Sequence, residues 1–326
     1  MSTYKKEVGT AVQNFAGDYT GAVQGQLWYN STAASFQFRN LTTVGSWATG
    51  GNVNLGRRFL AGAGTQTSGL IFTGDTTPPE IMRTQTESYN GSAWTEVNDV
   101  NTGRKNLGGC GEDNTSALAF GGALPTPNSA ATESWNGTCW TEVNDLNLAR
   151  NSLTAAGTAT AALGIGGATA PQQQNEFWNG TCWAEVNDLN TGRALLGGAG
   201  TQTSALAFGG QPNTGVTETW NGTCFSEVAD LNTARHYIRG GGVDNTSVIA
   251  FGGSANPPVY AVTEQWDGTS WTEVADMSNA RDGFAEGGTT PAAFAATGRD
   301  SASNIISATE EWTGPGAPVT ETITTS

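Results

Sequence analysis

Residues 193–235 read Arg193-ALLGGAGTQTSALAFGGQPNTGVTETWNGTCFSEVADLNTA-Arg235, and the same order of pieces recurs along the 326-residue chain. The arginines Arg57, Arg104, Arg150, Arg193, Arg235 and Arg281 are spaced by 47, 46, 43, 42 and 46 residues. Ten positions before each lies a large aromatic: Trp47, Trp94, Trp140, Trp183, Phe225 and Trp271. A near-constant period of this size marks stacked units that bury a core only together.

Each piece of the unit predicts a strand. LLGGAG is made of small residues, as needed where strands crowd toward a common axis. SALAFGG is an apolar run ending in a glycine pair, repeated at Gly121-Gly122, Gly166-Gly167, Gly209-Gly210 and Gly252-Gly253, with Thr73-Gly74 and Thr297-Gly298 as degenerate copies. The third piece alternates and ends on Tyr89, Trp135, Trp178, Trp220, Trp266 or Trp312, the period-two pattern of a half-buried strand. It meets the fourth through Asn136-Gly137, Asn179-Gly180, Asn221-Gly222 or Asp267-Gly268, pairs suited to a tight hairpin because both residues accept positive φ. Four antiparallel strands per unit predict an all-β fold, a six-bladed β-propeller over residues 45–314. The last unit stops after its third strand, at Trp312-Thr313-Gly314, whereas Trp47 has the spacing to Arg57 that every fourth strand shows. The strand around Trp47 is therefore expected to complete the last blade and close the ring. Residues 1–44 contain two alternating runs, residues 25–30 and 35–39, that predict a separate hairpin. The Pro/Thr-rich tail, 315–326, is expected to be extended or disordered.

The glycine pair, the aromatic ending the third strand, the tryptophan opening the fourth and the arginine opening the next unit resemble the kelch family, over about residues 47–312. The period lies between kelch and WD40 lengths, but the Trp-Asp and Gly-His signatures of WD40 repeats are absent. The phrase GQLWYNSTAASFQFR at 25–39, with GAGTQTSALAFGG and NTGR or NTAR in the repeats, is similar to kelch-type virion proteins of marine and cyanobacterial tailed phages. That resemblance implies a virion protein assembled in the host cytoplasm, docked to other virion proteins through residues 1–44 and able to form homo-oligomers on the particle. Three functions follow from it: a tail fibre or other appendage binding a host-surface glycan or protein, a purely structural decoration or adaptor protein, or a glycan-active enzyme.

Bulk chemistry narrows the classes. The net charge of −15 argues against a nucleic-acid partner, because that affinity depends on Lys and Arg displacing counterions. No apolar run approaches the ~20 residues needed to span a bilayer, and the start, MSTYKKEVGTAVQNFAGDY, lacks the apolar core of a secretory signal. The single histidine, His236, cannot supply the roughly three ligands of a catalytic metal site and is expected at a rim, so no metal, cofactor or catalytic residue is assigned. The six repeated arginines are expected to pair with Glu87, Glu133, Glu176, Glu218, Glu264 and Glu310, or with Asp99, Asp145, Asp188, Asp230 and Asp276, as scaffold. No unit holds a carboxylate pair unlike its siblings' that would suit glycosidase chemistry. Cys139, Cys182 and Cys224 share one repeat position and cannot approach one another as a disulfide requires; with Cys110 they are expected as free thiols. What differs between units is the link from second to third strand. These links should lie on the face that also carries the loops before each arginine, and recognition usually resides in such loops. Met82, Arg83, Gln172, Gln173, Tyr260 and Arg299, with His236 beside them, are the expected binding residues.

Overall fold

The computed structural model describes residues 12–17, 19, 26–41, 44–76, 80–170, 172–315 and 318–323. The chain forms two compact units, one of residues 46–313 and one of residues 1–45 with 314–326.

Residues 46–313 hold six four-stranded antiparallel sheets among the described residues, an all-β, propeller-like body. The fourth sheet serves for all: Gly197–Gly200, Ala205–Phe208, Thr217–Trp220 and Phe225–Val228 pair in sequence order. Its last hairpin turns at Asn221-Gly222, where Gly222 takes a φ of 89° and the Asn221 side-chain oxygen accepts the N–H groups of Thr223 and Cys224. A short amide that satisfies the turn's own backbone explains why this dipeptide recurs. The second strands form the core: Ala205, Leu206, Ala207 and Phe208 are fully buried.

Neighbouring sheets are joined by one device. The fourth-strand tryptophan donates its indole N–H to the threonine opening the third strand of the sheet before it: Trp140 to Thr86, Trp183 to Thr132 and Trp271 to Thr217, at 3.0–3.2 Å. Phe225 has no N–H to give, and the residue it would face is Asn175, whose amide turns to the carbonyls of Gln173 and Asn187. The donor and its acceptor are thus replaced together, leaving no buried orphan hydroxyl.

The last sheet draws on both ends of its unit. Ser46–Thr49 pairs antiparallel with Thr309–Thr313, placing Trp47 opposite Trp312. Trp47 donates to Thr263 of the fifth sheet, and Trp94 of the first sheet donates to Thr309 of the sixth. A chain of backbone hydrogen bonds also runs from sheet to sheet, two residues after each arginine. Tyr237 N–H reaches Leu195, Leu195 reaches Ser152, Ser152 reaches Asn106, Asn106 reaches Phe59, and Phe59 reaches Gly283, at 2.5–2.8 Å. All six residues sit at φ between 51° and 58°, the left-handed conformation that turns the amide toward the neighbouring sheet.

The second unit is a four-stranded sheet in which Gln13–Phe15 pairs parallel with Leu27–Asn30, the latter forms a hairpin with Ser35–Leu41, and Pro318–Ile323 pairs antiparallel with 36–41. The expected hairpin is there, with a third strand before it. The described part of the tail is extended and goes further than expected: it supplies an edge strand that pairs the open edge of Ser35–Leu41. Residues 1–11, 18, 20–25 and 42–43 of the N-terminal segment, and 316–317 and 324–326 of the tail, lie outside the described residues.

Candidate functional site: the loop face and a central cavity

The six repeated arginines are fully buried, each in an ion pair with its unit's glutamate: Arg57–Glu87, Arg104–Glu133, Arg150–Glu176, Arg193–Glu218, Arg235–Glu264 and Arg281–Glu310, at 2.5–3.3 Å. In the fourth sheet the Arg193 guanidinium also donates to the carbonyls of Thr191, Gly209 and Val216, and Glu218 accepts from the backbone and amide of Asn190. Burial pulls each of these arginines below its ordinary pKa, and the paired glutamate pushes back. Arg193, so surrounded, has no face left for a ligand. Asp99, Asp145, Asp230 and Asp276 instead accept the N–H opening their third strand, at 3.0–3.4 Å.

The residue after each arginine pairs with the start of its unit's second-to-third-strand link. Arg58 bridges to Asp75, Lys105 to Ala123, Ala194 to Gln211 and His236 to Ser254, while Arg281–Asp282 pairs with Arg299–Asp300. The variable links therefore share one face with the loops before the arginines. On this face Gln172 is exposed, and Met82, Arg83, Gln173 and Tyr260 are half-buried. Arg83 donates to the Thr76 hydroxyl at 3.0 Å, and the backbone carbonyls of Gln172, Gln173 and Tyr260 accept from Arg193, Leu189 and Arg281.

Two expectations need correction. His236 is buried, not at a rim: its Nδ1 contacts the side-chain oxygen of Asn213, and burial lowers its pKa. Its backbone pairs with Ser254 at the start of the link, and its ring lies 5.1 Å from that of Tyr237. Arg299 is held by Asp282 through two bonds of 2.9 and 2.6 Å, which raise its pKa, so its charge is already committed. Arg58 and Asp75 form the same cross-strand pair with the charges exchanged, at 2.8 Å, and both guanidiniums lie over the Phe59 ring, at 4.7 and 5.8 Å. Phe59 stacks on Tyr237 at 5.0 Å.

Another concave feature is a cavity of about 180 Å³ walled by the inner strands of all six sheets. Its wall is glycine, alanine and threonine with Cys110, Glu112 and Glu286. The strand register aligns Glu286 with Gly62, Gly109, Ala155, Gly198 and Gly240, and Arg239 with Ala61, Gly108, Thr154, Gly197 and Ala285. Both charged residues break the repeat, on adjacent strands. Arg239 Nε lies 3.4 Å from Glu286 Oε2 and donates to the Phe284 carbonyl at 3.2 Å. Glu286 Oε2 has no hydrogen-bond partner among the described residues, and burial raises the pKa of its carboxyl. Sequence reasoning passed over this pair because it compared carboxylates conserved in pattern between units. Aligning the six first strands column by column would have shown a lone Glu among Gly and Ala.

No protein-family model matches the chain, and no curated protein matches it.

Proposed function

We propose that this chain is a six-bladed kelch-like β-propeller, its ring closed by the strand at Ser46–Thr49. We propose that it serves as a non-enzymatic binding module of a phage virion, reading a host-surface glycan or protein with its loop face. The unit built from both chain ends is the attachment to other virion proteins. The observation that carries the binding reading is the confinement of variation: arginine–glutamate pairs, indole–threonine bonds and hairpin turns are copied from sheet to sheet, while the links on one face are not. Invariant scaffold with variable loops on one face is how recognition surfaces are built. The exposed link tips, Pro125-Thr126-Pro127, Gln172, Gln211-Pro212-Asn213 and Asn256-Pro257-Pro258, offer amides, hydroxyls and rigid proline bends, the chemistry that meets hydroxyl-rich or peptide ligands. The virion setting rests on the resemblance of residues 25–39 and of the repeats.

The test is adsorption of particles and glycan-array binding of the free protein, each with the links around Gln172 and Tyr260 replaced by the short Gln211–Gly215 link. Loss of both signals with unchanged folding is the expected result. Adsorption indifferent to the links, but particle attachment abolished on deleting residues 1–44, would leave a purely structural virion component and overturn the recognition role.

A further inference from the structure

The central cavity lies among the inner strands, apart from the variable links. Its six walls are the edge strands of their sheets, so N–H and C=O groups left unpaired by each sheet look into it. No side chain larger than Glu lines it, and none is aromatic. It therefore offers no platform for a sugar ring or a base, and suits a slender chain. The charged residues of its lining are both carboxylates, Glu286 in the wall and exposed Glu112 toward the first-to-second-strand hairpins, with Arg239 3.4 Å from Glu286. Arg58, Arg83, Lys105 and Arg299 belong to the loop face at the other end of these strands.

Glu286 stands where five sibling strands keep Gly or Ala, and two of those glycine positions have no room for a side chain. A side chain on Gly62 would come within 2.1 Å of the neighbouring Glu286 carbonyl, and one on Gly240 within 2.6 Å of the Phe208 ring. Arg239 compensates the charge only at 3.4 Å and leaves Oε2 without a hydrogen bond. Repeat proteins depart from their own pattern where function demands it.

We propose that the cavity takes a primary ammonium on a slender alkyl chain, with Glu286 as its anchor and backbone carbonyls and Glu112 completing the donors' partners. The group could come from a free diamine or from a lysine side chain of a partner protein. The experiment titrates the full chain with putrescine and with Nα-acetyl-lysinamide, by calorimetry and by amide chemical shifts of Gly64, Gly111, Gly287 and Gly288. Saturable one-to-one binding that shifts these amides is expected. Glu286→Gln should weaken it about tenfold, the loss of one charge-assisted bond, while the outer Glu142→Gln leaves it unchanged. Putrescine binding alone would identify a free amine as the source, and binding of both probes a lysine side chain as well. Should Glu286→Gln fail to fold, Glu112→Gln on the exposed rim is expected to weaken binding severalfold. The proposal is overturned by absence of saturable binding, by shifts confined to the outer strands, by equal affinity in wild type and both variants, or by magnesium displacing the amine at equal concentration.

Discussion

At the scale of single residues, the arginine of each unit makes the clearest case for reading chemistry from a repeat. A charge copied six times at one position is scaffold if it is buried against a partner copied as often, and Arg193 with Glu218 at 2.9 Å is that case. Removing one member leaves the other charged, buried and uncompensated. Arg193→Met should therefore cost about 3–5 kcal/mol in denaturant unfolding, and a cost below about 1 kcal/mol would show that Glu218 finds another partner. The glutamate partner was legible because it too recurs. The alternative aspartate recurs in five units, and only the geometry separates the two: the aspartate lies by the backbone N–H that opens the third strand. His236 and Glu286 were misjudged or missed for the same reason. Each occurs once, and a residue without siblings gives the sequence no way to tell buried from exposed.

At the scale of elements, the strand at Ser46–Thr49 was readable from its spacing alone, since Trp47 stands as far from Arg57 as every other fourth-strand aromatic does from its arginine. Its packing makes a sharper prediction. Trp47 donates to Thr263 and lies against Phe251 and Trp312, with ring centroids at 5.0 and 5.6 Å. Trp47→Ala should lose about 3 kcal/mol and Trp47→Phe only about 1, because Phe225 already serves as a fourth-strand aromatic without an indole N–H. Equal melting temperatures for Trp47→Ala and wild type would mean that this strand is not needed to hold the last sheet. The tail could not be read in this way. Pro318–Ile323 has no repeat to betray it, and its partner strand, Ser35–Leu41, lies almost a full chain length away.

At the scale of the whole molecule, charge is distributed by position. The exposed fourth strands and the loops after them carry Glu96 and Asp99, Glu142 and Asp145, Glu185 and Asp188, Glu227 and Asp230, and Glu273 and Asp276, with no cation among them. Carboxylates along exposed strand edges discourage edge-to-edge pairing with other chains, and a net charge of −15 leaves the folded state repelling itself. Raising salt from about 20 mM to about 0.5 M, which shortens the screening length to a few ångströms, should raise the melting temperature. A fall would mean that the ion pairs on the loop face outweigh the outer repulsion. The sequence by itself determined what repetition encodes: the strands, their order, the hairpin turns, the last sheet shared between both ends, and a carboxylate partner for each repeated arginine. Each follows from a local pattern that recurs along the chain. Only the tertiary structure decided what happens once: the edge strand made by the tail, the burial of His236, the commitment of Arg299 to Asp282, and the meeting of Arg239 with Glu286 beside the central cavity. These depend on which strands stand side by side, and proximity across separate sheets leaves no periodic trace in the chain.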